Sequence, residues 1–128
     1  MRLLLVEDDL IQRRLLVLRL AAASVAVEEA ADGLEAYEKL RRDPPDALLC
    51  DVQIPKLDGF ALLERLGRER VPLPRTVVLF SARPSSVEDE ARARALGAKA
   101  LLRKPIGLKE LLALIELPAR AKAIRSRG

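Results

Sequence analysis

The sequence predicts an α/β fold of the doubly wound type, with helices on both faces of a five-stranded parallel sheet. Short apolar runs alternate about five times with segments that repeat apolar residues at the helical period. The runs at residues 3–6, 47–50 and 77–80 are nearly continuous, as strands are when both of their faces are covered. Because crossovers between parallel strands are right-handed, we expect a flavodoxin-like topology with strand order 2-1-3-4-5.

The first third of the chain predicts two strands, each followed by a helix. Residues 3–6 form the first strand, and a helix over 11–22 is expected to bury one apolar face. That face carries Leu15, Leu16, Leu18 and Ala22. Residues 25–27 form the second strand, and Asp32-Gly33 opens a helix over 34–40.

The rest of the chain continues this alternation. The predicted elements are strand 47–50, helix 60–66, strand 77–80, helix 87–96, strand 100–102 and helix 108–117. Asp58-Gly59 opens the first of these helices, and Gly97 ends the second. We expect one domain over residues 1–117, followed by a basic tail over 118–128.

The composition is that of one folded domain. Hydrophobic residues make up 50% of the 128 residues and charged residues 33%. Four of the 23 basic residues lie after Leu117, which leaves 19 basic and 19 acidic residues in the body, so no direct binding of nucleic acid is expected. No apolar run approaches the roughly 20 residues that span a bilayer. The single Cys50 agrees with a reducing compartment, and we predict a cytoplasmic protein without membrane contact.

Polar residues stand at the carboxyl ends of several predicted strands, the edge where open parallel sheets bind ligands. They are Glu7, Asp8, Asp9, Asp51, Ser81 and Lys104. The sequence separates these residues widely, whereas the predicted fold brings them to one rim. The rim is therefore the candidate site.

The carboxylates at this rim predict a magnesium site, because clustered carboxylates repel one another and a hard divalent cation is their natural counterion. Asp51 ends a buried run, so a rigid strand would hold its carboxylate as a nucleophile toward phosphorus. Phosphoryl transfer depends mostly on positioning and charge stabilisation. Lys104 would supply a positive charge to one phosphoryl oxygen, and Ser81 a hydrogen bond to another.

Each of these residues also has a structural alternative. The acids at 7–9 could cap the helix that follows, Asp51 could be a turn residue, and Ser81 could cap the helix after Pro84. Lys104 alone would be an ordinary surface residue. Independent caps have no reason to collect a metal site, a nucleophile and two phosphoryl ligands at strand ends, which favours the functional interpretation.

Five short motifs at these positions resemble the receiver domains of two-component response regulators. They are LLLVEDD at 3–9, AADG at 30–33, DVQIPKLDG at 51–59, Ser81-Ala82 and Lys104-Pro105. Each motif is weak alone, but their order and spacing are specific. The similarity covers about residues 2–117.

The resemblance implies that Asp51 is the phosphoacceptor and that the donor is a histidine on a sensor kinase or phosphotransfer protein. Asp8, Asp51 and the main-chain carbonyl of Gln53 would bind Mg²⁺ directly, and Glu7 would help through water. The chain contains no histidine, so it cannot supply the donor itself.

The resemblance further implies that Ser81 and Lys104 hold the phosphoryl group and that Lys104-Pro105 is a cis peptide. Such a domain is a phosphoacceptor in signal transduction that catalyses its own phosphotransfer and autodephosphorylation. It is not an enzyme with a separate substrate.

Two features depart from the family pattern. Leu101 stands where the family usually has the Tyr or Phe of its switch, so the aromatic version of that switch is absent. No effector domain follows, and output is expected through a homodimer, a longer parent chain, or a downstream protein that docks from about Ser86 to Leu117. Gln53 and Arg83 lie where the family tunes the lifetime of the acyl phosphate.

Three other classes of protein are alternatives. A phosphatase of the haloacid dehalogenase type would need a second aspartate two positions after Asp51, where this chain has Gln53. A pseudo-receiver would act as a docking module independent of phosphorylation, but such a module is expected to lose the acids or the lysine. A flavin-binding module would need a phosphate-binding loop after the first strand, where residues 7–9 are all acidic.

Overall fold

The computed structural model describes residues 1–115, in which five strands and five helices alternate. They are β1 Arg2–Val6, α1 Leu10–Ala22, β2 Ala26–Ala30, α2 Gly33–Arg42, β3 Ala47–Asp51, α3 Gly59–Arg68, β4 Thr76–Ser81, α4 Val87–Ala95, β5 Ala100–Arg103 and α5 Leu108–Ile115. All strand pairs are parallel, in the order β2-β1-β3-β4-β5. The predicted fold class and topology are confirmed.

Most predicted boundaries differ from the observed ones by only one or two residues, and β2 is the largest exception. The strand continues to Ala30, whereas the sequence predicts an end at residue 27. Glu28 and Glu29 interrupt the apolar run that would predict a strand. An edge strand tolerates such residues, because its side chains are alternately exposed and partly buried.

The core has two layers, one on each face of the sheet. Leu4 and Val6 of β1 pack with side chains from α2, α3 and α4, whereas Leu3 and Leu5 pack with side chains from α1 and α5. All five residues of β3 are buried. The central strands are therefore rigid supports for whatever follows their carboxyl ends.

Four side chains cap the first four helices, each by accepting a hydrogen bond from the amide three residues on. They are Asp9, Asp32, Asp58 and Ser86, and the donors are the amides of Gln12, Glu35, Ala61 and Asp89. The helix openings predicted at Asp32 and Asp58 are confirmed. The acid at position 9 does cap α1, but Ser86 caps α4, so the capping alternative for Ser81 is wrong.

The predicted buried face of α1 is wrong in part. Leu16 and Leu20 are its buried residues, whereas Leu15 and Leu18 are 56% and 67% exposed and Ala22 is also exposed. Leu10 and Ile11 add to the exposed apolar surface at the start of the helix. A helix can bury only one stripe against a sheet, and α1 has more apolar residues than that stripe holds.

Among residues 1–115 we find no helix both long and apolar enough to cross a bilayer. The basic tail at 118–128, and the last two residues of the predicted domain, lie outside the described residues. The expected division of the chain at residue 117 stays a prediction.

Candidate phosphoacceptor site

Four neighbouring strands bring the predicted side chains to one edge of the sheet. Glu7 follows β1, Asp51 ends β3, Ser81 ends β4 and Lys104 follows β5. Parallel pairing keeps these ends level: Asp51 lies opposite Phe80 of β4, and Ser81 lies opposite Arg103 of β5. The sheet therefore assembles the rim that the sequence predicts.

Three carboxylates of this rim form a compact group. One oxygen from each of Glu7, Asp8 and Asp51 lies within 4.8 Å of the others. Glu7 and Asp51 are buried, whereas Asp8 is exposed. Oxygen ligands with one side open to water suit Mg²⁺, which prefers carboxylates and keeps part of its hydration shell. The donor set fits the predicted ion, and the contribution of the Gln53 carbonyl stays a prediction.

The ammonium group of Lys104 lies at the rim, and each of its three protons has a hydrogen-bond acceptor. Its Nζ donates to Glu7 Oε1 at 2.6 Å, to Asp51 Oδ2 at 2.8 Å and to Gln12 Oε1 at 2.9 Å. Burial alone would lower the pKa of Lys104, but the hydrogen bonds that it donates to Asp51 and Glu7 outweigh burial and raise that pKa. The lysine therefore stays charged, and its following bond to Pro105 is cis, as expected.

The surroundings of Glu7 oppose its negative charge. Burial raises its pKa and the nearby negative charge of Asp51 adds to that, while the hydrogen bonds from Lys104 and the Asp9 amide lower it in part. Glu7 Oε2 accepts the Asp9 amide at 3.0 Å. A second cation at the rim would favour the ionised form.

Asp51 is held by hydrogen bonds on both carboxylate oxygens. Oδ1 accepts the amide of Gln53 at 2.9 Å, and Oδ2 accepts Lys104. The first bond is the local turn contact proposed as a structural alternative, so one carboxylate both shapes its loop and faces the rim. Cys50, directly before it, is fully buried, and burial raises the pKa of its thiol, in line with an inert apolar role.

Ser81 is buried, and its hydroxyl has two partners. Its Oγ donates to the side-chain Oε1 of Gln53 at 2.8 Å and accepts the amide of Arg83 at 3.1 Å. A cavity of about 280 Å³ adjoins these groups and reaches Phe60 and Leu101. The side chain of Gln53 thus lies at the site, a contact that sequence reasoning did not identify.

Two residues of α1 also contact the rim without having been predicted. Gln12 is the third acceptor for Lys104, and the Arg13 guanidinium donates to the Glu7 carbonyl at 2.7 Å and to Glu29 Oε1 at 2.8 Å. Arg13 therefore ties the acidic loop to the neighbouring strand β2. No sequence pattern signals these contacts, because they depend on how α1 lies over the strand ends.

The fold and the rim define a class: a doubly wound α/β protein whose strand ends combine an acidic pocket suited to a metal ion with a half-buried lysine and a buried serine. Residues 3–116 match the family model of the response regulator receiver domain. The chain belongs to this family, whose members act in two-component systems. That membership disfavours the phosphatase and flavin-binding alternatives.

Three relatives illustrate the family. Over 115 residues the chain is 41% identical to the response regulator MprA of Mycobacterium leprae, covering 90% of this chain and 49% of that protein. Over 82 residues it is 43% identical to protein-glutamate methylesterase/protein-glutamine glutaminase 1 of Methanospirillum hungatei JF-1, covering 64% and 24%. The solved receiver domain of Francisella response regulator 1452 shares the fold, with a TM-score of 0.83 at 23% identity over 94% and 98% of the two chains. The chain thus spans about half the length of MprA.

Proposed function

We propose that this chain is a phosphoacceptor in which Asp51 takes a phosphoryl group from a phosphohistidine of a partner sensor kinase or phosphotransfer protein, with Mg²⁺ required. The observation that carries this proposal is the position of the Asp51 carboxylate. It ends a buried strand, shares its pocket with Glu7 and Asp8, and lies 2.8 Å from the Lys104 ammonium. Receiver domains take phosphoryl groups from histidine kinases and regulate output domains, which agrees with this role.

In the proposed step a carboxylate oxygen of Asp51 attacks phosphorus as the bond from phosphorus to the imidazole nitrogen breaks. The electron pair of that bond stays on the leaving imidazole. Asp8, Asp51 and the Gln53 main-chain carbonyl would hold Mg²⁺, with Glu7 acting through water, and the ion would neutralise charge on the phosphoryl oxygens. The family's autodephosphorylation would then release the group to water.

Lys104 and Ser81 are the proposed ligands of the transferred group. Lys104 already contacts the carboxylate that becomes phosphorylated, so a small movement would bring its charge to a phosphoryl oxygen. Ser81 ends the strand next to that of Asp51 and offers a hydroxyl proton to a second oxygen. Both groups are buried or half-buried, where such contacts are stronger than in water.

The phosphodonor is proposed to approach along α1. The helix exposes apolar residues, and a groove of about 470 Å³ beside it is lined by Leu15, Lys104, Pro105 and Ile106 among others. A partner helix with an apolar face could pack there and present its phosphohistidine to the rim. Within this proposal the reaction takes place in the cytoplasm.

Output is proposed to pass through the surface from about Ser86 to Leu117, of which the structure describes residues up to Ile115. Helix α4 buries only Ala93 and leaves most of its polar surface free for a downstream protein. A homodimer through this or another face stays a prediction.

The test is the intact mass after incubation with acetyl phosphate, with and without Mg²⁺. We expect a gain of one phosphoryl group, about 80 Da, that requires Mg²⁺ and is lost in Asp51→Asn. Asp43→Asn is the matched control, because Asp43 is a surface residue whose side chain is 77% exposed. No gain in the native chain, with Mg²⁺ binding verified independently, would instead favour a docking module that acts without phosphorylation.

A further inference from the structure

The Ser81 hydroxyl can donate only one hydrogen bond, and the side chain of Gln53 already accepts it. The Oγ to Oε1 distance is 2.8 Å. The Arg83 amide donates to the same Oγ from the other side, at 3.1 Å, which leaves the hydroxyl proton directed toward Gln53. Ser81 is buried, so this is a defined contact and not one of many interchangeable surface arrangements.

We propose that Gln53 is a positioning residue that restrains Ser81 in the unphosphorylated state and so opposes the switch. The inference rests on the proposed function. A phosphoryl oxygen on Asp51 and the amide oxygen of Gln53 compete for one proton, and only one of them can have it. Binding of a phosphoryl group must therefore break the contact between Ser81 and Gln53, and part of its binding free energy is spent on that exchange.

Gln53 is suited to this role because it contacts both the phosphoacceptor Asp51 and the hydroxyl of Ser81. Its main-chain amide donates to Asp51 Oδ1 at 2.9 Å, while its side chain holds Ser81. Side chain and main chain act separately here, so the side chain can be changed while the amide contact is kept.

The restraint also reaches the segment that leads into α4. When the hydroxyl turns toward Asp51 it leaves the amide of Arg83, and the segment between Ser81 and the α4 cap Ser86 loses an anchor. The cavity of about 280 Å³ beside these residues gives the segment room to move inward. Leu101, at the position where the family usually has an aromatic side chain, borders that cavity.

The experiment uses beryllofluoride, a phosphoryl analogue, titrated in the presence of Mg²⁺ and followed through the main-chain amide NMR signals of residues 81–86. Gln53→Met keeps the length of the side chain but replaces the amide oxygen with a thioether sulfur, which is a much weaker hydrogen-bond acceptor. We expect it to bind the analogue about five-fold more tightly than the native chain does, the factor expected for one net hydrogen bond. In the free variant, the Arg83 amide signal should shift toward its position in the bound native chain.

A double-mutant cycle with Ser81→Ala separates this role from a general effect of the substitution. Without the hydroxyl there is no proton to compete for, so Gln53→Met should change the affinity of Ser81→Ala by less than about two-fold. Gln53→Leu, whose side chain has no acceptor at all, should repeat the gain seen with methionine.

Unchanged or weaker binding by both Gln53 variants, with the native chain binding normally, would overturn the restraint and leave the proposed function intact. An equal gain in the Ser81→Ala background would overturn it too, because the effect would not pass through the hydroxyl. If the native chain neither binds the analogue nor accepts a phosphoryl group from acetyl phosphate, the proposed function fails and this inference fails with it.

Discussion

Replacing Lys104 with methionine should reveal how far the buried carboxylates depend on one ammonium group. The Lys104 Nζ lies 2.6 Å from Glu7 and 2.8 Å from Asp51, and the two carboxylate side chains are only 4% and 5% exposed. Methionine keeps most of the volume of the side chain but removes the charge. The variant would leave two buried acids without their cation whenever no metal is bound.

The size of the effect follows from these distances. At an effective dielectric constant of about 20, each contact is an attraction of about 6 kcal/mol, most of which only offsets the loss of hydration. Breaking a buried ion pair from one side typically costs about 3 to 5 kcal/mol. The Lys104 side chain is still 18% exposed, so we expect the lower end, about 3 kcal/mol, out of a total stability of about 5 to 15 kcal/mol.

The assay is urea unfolding in EDTA at pH 8, followed by circular dichroism. With a slope of about 2 kcal/mol per molar urea, the midpoint should fall by about 1.5 M. Mg²⁺ at millimolar concentration should restore more stability to the variant than to the native chain, because a divalent cation replaces the missing charge. Lys109→Met, at an exposed position of α5, is the matched control.

The pH dependence of the deficit is a further check on the same reasoning. Burial already raises the pKa of Glu7, and loss of Lys104 removes the hydrogen bond that lowers it. The folded variant therefore takes up a proton more readily than its unfolded chain, and its deficit should shrink as the pH falls from 8 toward 5. A deficit below about 1 kcal/mol in EDTA, independent of Mg²⁺ and equal to that of the Lys109 control, would refute the argument.

Two further predictions concern the scaffold. Asp32→Ala should cost about 1 kcal/mol at pH 7, because the carboxylate caps α2. The hydrogen bond from the Glu35 amide lowers the pKa of Asp32 in the folded chain. The stability that the cap contributes is therefore complete above the unfolded pKa of 3.8 and is lost as the pH falls through the lower folded pKa. If Asp32→Ala lost equal stability in urea melts at pH 7 and pH 2, this reasoning would be contradicted. Gly33→Ala should lower stability by more than about 3 kcal/mol, because an added Cβ would lie 1.8 Å from the Leu57 carbonyl oxygen. Gly67→Ala in α3, where a Cβ meets nothing within 4 Å, should instead gain about 1 kcal/mol, and thermal melts that show the two alanine variants to be alike would rule out the close contact at Gly33.

The fold could be predicted because its signals are local. Continuous apolar runs at β1, β3 and β4 mark strands covered on both faces, and Asp32 and Asp58 mark helix starts by their capping chemistry. Where the local signal was mixed, the prediction was weaker. Glu28 and Glu29 hid the end of β2, and the surplus of leucines in α1 concealed which of them face the sheet.

The membership of the rim was predictable for a topological reason. The carboxyl ends of parallel strands meet at one edge, so Glu7, Asp51, Ser81 and Lys104 could be assigned to a common site from their places in the sequence alone. That rule predicts which residues lie close together, but not which hydrogen bonds they form. It says nothing about which acceptor each donor finds.

The sequence by itself therefore determined the strand order, the helix starts at Asp32 and Asp58 and the group of side chains at the rim, since all of these follow from local patterns and chain connectivity. Only the tertiary structure decided that Gln12 completes the contacts of Lys104, that Arg13 holds the acidic loop, and that Gln53 accepts the hydrogen bond from the Ser81 hydroxyl. The physical reason is that a hydrogen bond forms only within a distance window of a few tenths of an ångström. Positions are fixed to that precision only once segments far apart in the chain have packed against one another.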